Sequence, residues 1–441
     1  MMSNAFNVEY FAIDKLFGFK NVEIPLSDVQ ILVDQNGIGK TTVLNALYYV
    51  LSCQLERLST IEFETIRIKF KGSDELRIGK DDVTIRQSAR FRLLRKAPPS
   101  EWEMWARGDI SGKALDVWKH RVYREYLDSP VSDRMSPSRM MAIINEADPH
   151  ELQKTLALER TILENVPQEI YYLPTYRRIE EDLQKLGIDE SIESEQDSLI
   201  QFGMKDVNQR FVAITERIRT SSLSGFSQVT GEILHQLIDG INVPSAMKES
   251  IKNPDAIKIV LDRVGNNLTD DDKQRINSLA ATDQIFSDAK YDPLIYFLSN
   301  LVKIYEQQHE MDNTIKQFAG VCNKYLVGKE VRYDESKVSI EIVQKHTGAA
   351  VEISKLSSGE KQIVSLFSRI YLGTNKRFVL LFDEPELSLS IDWQQMILPD
   401  ILDSGMCDAM FVVTHSPFIF ANNLDSKAVG LSTFIKEVRS K

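Results

Sequence analysis

Apolar and polar positions alternate along the first eighty residues. Tyr10–Leu16 and Asn21–Leu26 read as strands around a turn at Gly18, and Phe63–Phe70 places Ile66, Ile68 and Phe70 on one face. Val29–Val33 reads as a short buried strand that runs straight into Asp34-Gln35-Asn36-Gly37-Ile38-Gly39-Lys40-Thr41-Thr42. Beyond that loop Val43, Leu44, Leu47, Val50 and Leu51 recur at the spacing of one helix face.

From about residue 98 to 325 the spacing turns helical, over Trp102–Tyr126, Pro137–Asn165, Asp206–Ile218, Phe226–Ile241 and Tyr296–Tyr325, with one apolar strand at Ile170–Pro174. Acidic polar stretches such as Asp189–Asp197 punctuate it. No sustained heptad run is present, which predicts no long coiled coil. Thr269-Asp270-Asp271-Asp272 resembles a metal cluster on paper, but a threonine followed by acids is better read as a helix cap. After residue 330 strands return: Val338–Val343 alternates, Arg377–Phe382 is almost continuously apolar, as a strand covered on both faces must be, and Ala409–Val413 is another. The pattern predicts an α/β fold, one mixed sheet interrupted by a large helical insertion, divided as 1–97, 98–329 and 330–441.

The chain's 441 residues are 43% hydrophobic and 27% charged, a globular composition. A net charge of −11 argues against the whole molecule being a nucleic-acid magnet. A basic run at Arg86, Arg90, Arg92, Arg95 and Lys96 is most simply a solvated face. No apolar run reaches the length of a membrane helix, and the first residues lack a basic-then-apolar leader pattern, so no membrane association is expected. Cys53, Cys322 and Cys407 are too scattered for a zinc hook or a disulfide framework, and a reducing cytoplasm is the expected setting.

Chemistry concentrates at two ends of the chain. In Asn36-Gly37-Ile38-Gly39-Lys40-Thr41-Thr42 the glycines let backbone N–H groups turn inward onto phosphate oxygens, Lys40 reaches the β- and γ-phosphates, and Thr41 offers its hydroxyl to Mg²⁺. The helix that follows aims its N-terminus at the anion. Asp34 stands where the phosphate-loop pattern has its first glycine, and a carboxylate there is unfavourable unless it turns outward. Phe378–Leu381 followed by Phe382-Asp383-Glu384-Pro385-Glu386 has the form of a Walker B strand. Asp383 would hold the metal and Glu384 would polarise the attacking water; a strand ending in a solvated acidic turn is the plainer alternative.

Leu356-Ser357-Ser358-Gly359-Glu360-Lys361-Gln362, just ahead of that strand, resembles the signature loop of ABC-class ATPases in the form found in RecF- and SMC-related members. Ser388-Leu389-Ser390 follows like a D-loop, and His415, in Val413-Thr414-His415-Ser416-Pro417, follows like the switch histidine. The resemblance implies a head-to-tail homodimer or an oligomer of such pairs. Ser357, Ser358, Gly359 and Glu360 of one copy would meet ATP held by the phosphate loop of another, with His415 sensing the γ-phosphate. An ordinary helix cap is the competing reading of the serine-glycine run. Gln87 is a candidate for a Q-loop but is better read as a polar edge residue.

Within that class, Glu384-Pro385-Glu386-Leu387-Ser388-Leu389-Ser390-Ile391-Asp392-Trp393-Gln394 and Thr414-His415-Ser416-Pro417 resemble the OLD-type ATPases of bacterial anti-phage systems. Tyr172-Leu173-Pro174-Thr175-Tyr176-Arg177-Arg178 is similar to a segment of that group, with Arg177 and Arg178 contacting nucleotide or forming a surface ion pair. Only 26 residues follow His415, too few for the Toprim nuclease that OLD proteins carry there, and His120, His150, His235 and His309 are scattered. The arrangement therefore resembles the ATPase subunits of PARIS, and less closely Septu. These work with a separate effector, a Toprim-type nuclease in the first case, and a phage-encoded trigger protein is a further expected partner. Two other readings stay open. One is a RecF- or SMC-like repair ATPase on duplex DNA; the other is a nucleotide-binding scaffold with little turnover, for which Asp34 is the support.

Overall fold

Lys40 opens the first long helix of the computed structural model, which describes residues 6–87, 149–174, 204–264, 268–373 and 376–438. The segments Trp102–Tyr126, 137–148 and Asp189–Asp197, Arg90 to Lys96 of the basic run, and Arg177 and Arg178 lie outside the described residues. The chain forms two units, residues 1–200 with 376–441 and residues 201–375.

The first unit holds two sheets. Strands β1 (Val8–Leu16), β2 (Lys20–Pro25), β4 (Thr65–Phe70), β5 (Glu75–Gly79) and β12 (Ile435–Glu437) form an antiparallel sheet in the order β12-β2-β1-β4-β5. Ile66, Ile68 and Phe70 are its buried face, as their alternation predicts. Strands β3 (Val29–Val33), β6 (Glu169–Leu173), β9 (Phe378–Asp383), β10 (Cys407–Thr414) and β11 (Ala428–Gly430) form a parallel sheet in the order β11-β3-β10-β9-β6. β9 lies between β10 and β6, and all six of its residues are buried. Helix α1 (Lys40–Leu51) buries Val43, Leu44, Leu47, Tyr48, Val50 and Leu51 in one core with residues of both sheets. Burial on this scale, at about 1.5–3 kcal/mol per large apolar side chain, is what holds the loop ahead of the helix in place.

The sequence division put Ile170–Pro174 inside the helical insertion. The structure pairs that strand, as β6, with β9 in register Tyr172↔Leu381, so it belongs to the first unit. Nothing in its local pattern says which sheet it joins.

The second unit is built on two long helices, Met204–Asp239 (α4) and Asp292–Tyr325 (α8). The shorter α2 (Lys80–Gln87) and α3 (Pro149–Asn165), in the first unit, precede them in the chain; Gln87 is the last residue of α2. Phe211 meets Phe318 and Phe226 meets Phe297, so the two long helices run antiparallel. The sequence divides α4 at its Ser/Gly stretch, yet the helix is continuous there. The two helices approach closely at Gly225, where a Cβ would lie 2.6 Å from the Ile304 side chain of α8. The missing heptad repeat therefore did not prevent two helices of roughly 50 Å from pairing. Thr269 caps the helix Asp270–Ala281 by accepting from the N–H of Asp272 at 3.2 Å, so the acidic run serves the cap, as expected. A hairpin of β7 (Lys329–Asp334) and β8 (Ser339–Gln344) leads to helix α9 (Ser358–Leu372).

Beneath the hairpin, Arg263 donates to Asp312 at 2.7 Å, to Gln308 at 2.8 Å and to the Glu335 carbonyl at 3.0 Å. Tyr333 donates to the same Asp312 oxygen. The Arg263 and Asp312 side chains are 5% and 0% exposed. This polar knot fixes the helix Pro254–Arg263 against α8 and the hairpin.

Candidate nucleotide site

The loop between β3 and α1 has the backbone that phosphate binding requires. Gly37 and Gly39 have φ of 81° and 111°, in the left-handed region that favours glycine. A Cβ on Gly37 would meet nothing within 4 Å, so the loop is open on that side. A Cβ on Gly39 would sit 3.0 Å from the Phe17 ring. Asn36 and Gly37 are exposed and Ile38 packs partly against the core, anchoring the loop's far edge. Lys20 of β2 donates to the Ile38 carbonyl at 3.3 Å.

Lys40 is 5% exposed and its ammonium donates to the Asp34 and Gln35 carbonyls at 2.6 and 2.9 Å. Burial lowers its pKa, against the attraction of Asp34, Glu384, Asp383 and Glu386. Gly39 caps α1 with no side-chain hydrogen bond, and no acid of the helix itself lies in its first turn. The helix N-terminus, Lys40 and the turned-in glycines together suit a polyphosphate.

Asp34, the departure from the phosphate-loop pattern, does turn outward. Its carboxylate accepts from the N–H of Ser432 at 2.8 Å and from that of Gln35 at 2.8 Å. Burial works against ionisation, but those two donors and Lys40 hold its carboxyl below the usual value. Asp34 thus ties the start of the loop to the turn after β11.

Two donors for a metal converge. Thr41 lies on α1 and Asp383 ends β9, and the hydroxyl is 3.2 Å from an Asp383 oxygen. Asp383 is 1% exposed. Thr42, next to Thr41, is half-buried. No group of three His, Cys, Asp or Glu is placed to hold a metal among the described residues. A hydroxyl and one carboxylate fit Mg²⁺, which keeps several waters and takes phosphate oxygens, better than a metal needing a full protein cage.

Glu384 follows with φ of 50° and donates its N–H to the Val413 carbonyl at 2.8 Å. That strained turn lifts the carboxylate out of the sheet, where it stands 3.9 Å from His415 Nε2. The parallel register explains the meeting, since Asp383 of β9 is opposite Val413 of β10. The structure therefore brings Lys40, Thr41, Asp383, Glu384 and His415 to the C-terminal ends of β3, β9 and β10, where open α/β sheets bind ligands.

Ser357, Ser358, Gly359 and Glu360 lie in the second unit, at the start of α9. Ser357 and Glu360 form a capping box: the serine hydroxyl accepts from the Glu360 N–H at 3.3 Å and the carboxylate accepts from the Ser357 N–H at 2.8 Å. Both residues are engaged in the helix cap itself. Ser358 is exposed and Gly359 follows it in the first turn. Lys329 of β7 holds both Glu360 oxygens at 2.9 and 2.8 Å. Burial opposes ionisation of Glu360, yet Lys329 and Ser357 keep its carboxyl below the usual value. Sequence reasoning missed Lys329, which stands 31 residues before its partner with no motif around it.

It also missed the parts of Glu386 and Gln394. Glu386 accepts from Thr414 Oγ1 at 2.7 Å and from the N–H groups of His415 and Ser416 at 2.8 and 3.2 Å. Gln394, on helix α10 (Ile391–Asp403), donates to the Leu389 carbonyl at 3.0 Å and accepts from Ser416 Oγ at 2.6 Å.

A glycine-rich loop opening a helix, a buried lysine on it, and a threonine facing a strand-end aspartate define a P-loop nucleoside triphosphatase site. The chain belongs to the family described as AAA ATPase domain, whose model matches residues 17–420. ATP binding and ATP hydrolysis are the activity of that class. Among solved structures, the chain is similar to an Smc head domain with an extended coiled coil, bound to the C-terminal domain of ScpA and derived from Pyrococcus furiosus. That match is 14% identical, covers 98% of this chain and 96% of that one, and has a TM-score of 0.38. A second is an Smc head domain with a coiled coil and joint from Pyrococcus yayanosii, at 15% identity, 94% and 93% coverage and a TM-score of 0.31. No curated protein matches the chain. No described helix is long and apolar enough to cross a membrane.

Proposed function

We propose that this ATPase works as a cytoplasmic sensor or scaffold subunit of a bacterial anti-phage system. Two copies close head to tail on Mg²⁺–ATP, and hydrolysis or a phage trigger protein reopens them, holding or releasing a separate effector nuclease. The observation that carries the reading is the meeting of Thr41, Asp383, Glu384 and His415 at the C-terminal ends of β9 and β10, with a capped helix start in the other unit where Ser358 is exposed and Gly359 buried. The first set can hold the nucleotide and metal and polarise water. The second offers a hydroxyl and backbone N–H groups at a helix N-terminus, suited to a γ-phosphate. The anti-phage assignment is supported by the resemblance of Glu384–Gln394 and Thr414–Pro417 to OLD-type ATPases.

Lys40, Gly37 and Gly39 would bind the phosphates, Thr41 and Asp383 the Mg²⁺, and bound Mg²⁺ would supply charge neutralisation on the transferring phosphoryl group. Glu384 would polarise the attacking water and His415 would sense the γ-phosphate. The test is mass photometry of Glu384→Gln with and without ATP, beside Glu384→Gln carrying Ser358→Arg. ATP-dependent dimers lost on adding Ser358→Arg support closure. A monomer throughout, or dimers indifferent to Ser358→Arg, sinks it. Co-purification of the neighbouring gene's product, a Toprim-type nuclease, would support the effector assignment. Tight, steeply salt-dependent duplex-DNA binding with no such partner would favour repair instead.

A further inference from the structure

We infer that Glu386 and Gln394 are positioning residues for ATP hydrolysis, forming a bracket that sets His415 against Glu384. The inference rests on the ATPase reading of the site and adds residues to it that the phosphate and metal contacts do not use.

His415 lies just past the end of β10, where the ladder with β9 no longer constrains the chain. It is an exposed residue, yet its ring nitrogen stands 3.9 Å from Glu384. Something must hold the segment. Glu386, two residues beyond Glu384, takes three donors from it: Thr414 Oγ1, His415 N and Ser416 N. Thr414 is fully buried, so this carboxylate is fastened to the interior at one oxygen and to the switch backbone at the other. A charged acceptor holding two neighbouring backbone N–H groups fixes the peptide plane between them, and with it the direction of the His415 side chain.

Gln394 closes the bracket from the other side. It is 9% exposed, and its amide spans from the Leu389 carbonyl in the D-loop segment to the Ser416 hydroxyl beyond His415. Its orientation follows from its partners: Nε2 faces carbonyls and Oε1 faces a hydroxyl. The stretch Ser388–Ser390, with Ser388 at φ 66°, is thereby tied to the switch through one side chain. A shift of the D-loop segment is thereby passed to Ser416 and hence to His415.

The consequence is a split between binding and turnover. Misplacing a catalytic group by an ångström costs on the order of a hundredfold in rate. Glu386→Ala is expected to lower kcat ten- to a hundredfold while the Kd for ATP changes less than about threefold. Glu386→Gln can still accept both backbone N–H groups at its carbonyl and donate to Thr414, so it is expected to recover most of the loss. Gln394→Leu keeps the volume and cuts the D-loop link, and is expected to lower kcat about tenfold, again with ATP binding held.

Steady-state ATP turnover and fluorescent-nucleotide binding on the full chain test this. Loss of binding and turnover together in Glu386→Ala would mean a merely structural role and overturns the bracket. So does Glu386→Gln recovering nothing, which would make the charge rather than the clamp important, or Gln394→Leu turning over like the wild type. A wild type that binds ATP but never hydrolyses it instead refutes hydrolysis at this site, so the two failures are distinguishable.

Discussion

Replacing Lys329 by methionine removes an ammonium from beside Glu360 and leaves the stem. The Glu360 side chain is 7% exposed and that of Lys329 26%. A fully buried pair broken on one side costs about 3–5 kcal/mol, and an exposed pair is worth about 0–1 kcal/mol. This pair lies between the two. Glu360 also keeps the Ser357 N–H and the positive end of α9, the latter worth about 0.3–1 kcal/mol. The expected loss of stability for Lys329→Met is therefore about 2 kcal/mol. Glu360→Gln preserves the carbonyl that accepts from Ser357, so the capping box survives without the charge. Urea unfolding of the wild type, both single variants and the double variant gives the coupling, expected at about 1–2 kcal/mol. A coupling below about 0.5 kcal/mol would show the pair to be ornamental. The sign with pH is fixed by the Glu360 carboxyl, which is held below its usual value in the folded protein. Its contribution is complete above the unfolded carboxylate value and is lost as pH falls through the lower folded one. Function should follow the same cycle. An unneutralised Glu360 beside Ser358 and Gly359 repels a phosphate, so Lys329→Met weakens ATP-driven closure and Glu360→Gln in that background restores it. No restoration would refute the electrostatic argument while leaving the stability result standing.

Lys40→Ala should abolish ATP binding in a fluorescent-nucleotide titration, and retained tight binding would overturn the phosphate-loop assignment. Arg263→Leu strands the wholly buried Asp312 carboxylate and should cost about 3–5 kcal/mol in unfolding, with Asp312→Leu added in the same chain recovering part of it; a loss under about 1 kcal/mol contradicts the burial argument. Asp34→Ala removes the acceptor for the Ser432 N–H and should cost about 1–2 kcal/mol at neutral pH. Because the Asp34 carboxyl is held below its usual value, the difference between this variant and the wild type should vanish as pH falls through the folded Asp34 pKa; an acid-unfolding series showing a constant difference would sink the assignment.

Much of the candidate site is legible in the sequence, because phosphate chemistry imposes local rules. Turned-in glycines must be adjacent to the lysine and the hydroxyl, and a strand-end aspartate must follow an apolar run, so Gly37, Gly39, Lys40, Thr41 and Asp383 appear as contiguous patterns. The alternation of β4, the unbroken burial of β9 and the Thr269 cap were legible for the same reason: each is a rule about neighbours in sequence. Long-range pairing is different. That Glu169–Leu173 joins the parallel sheet, that Gly225 serves the approach of Ile304, that Asp34 turns to Ser432, and that Lys329 neutralises Glu360 depend on residues 31 to 398 positions apart. Those partnerships arise when burial brings elements together and each buried polar group must find a partner. The sequence by itself determined which chemistry the chain can perform. The tertiary structure decided which carboxylates, Asp383 and Glu384, gather beside the phosphate loop and which, like Asp34, Glu360 and Glu386, are held by other groups.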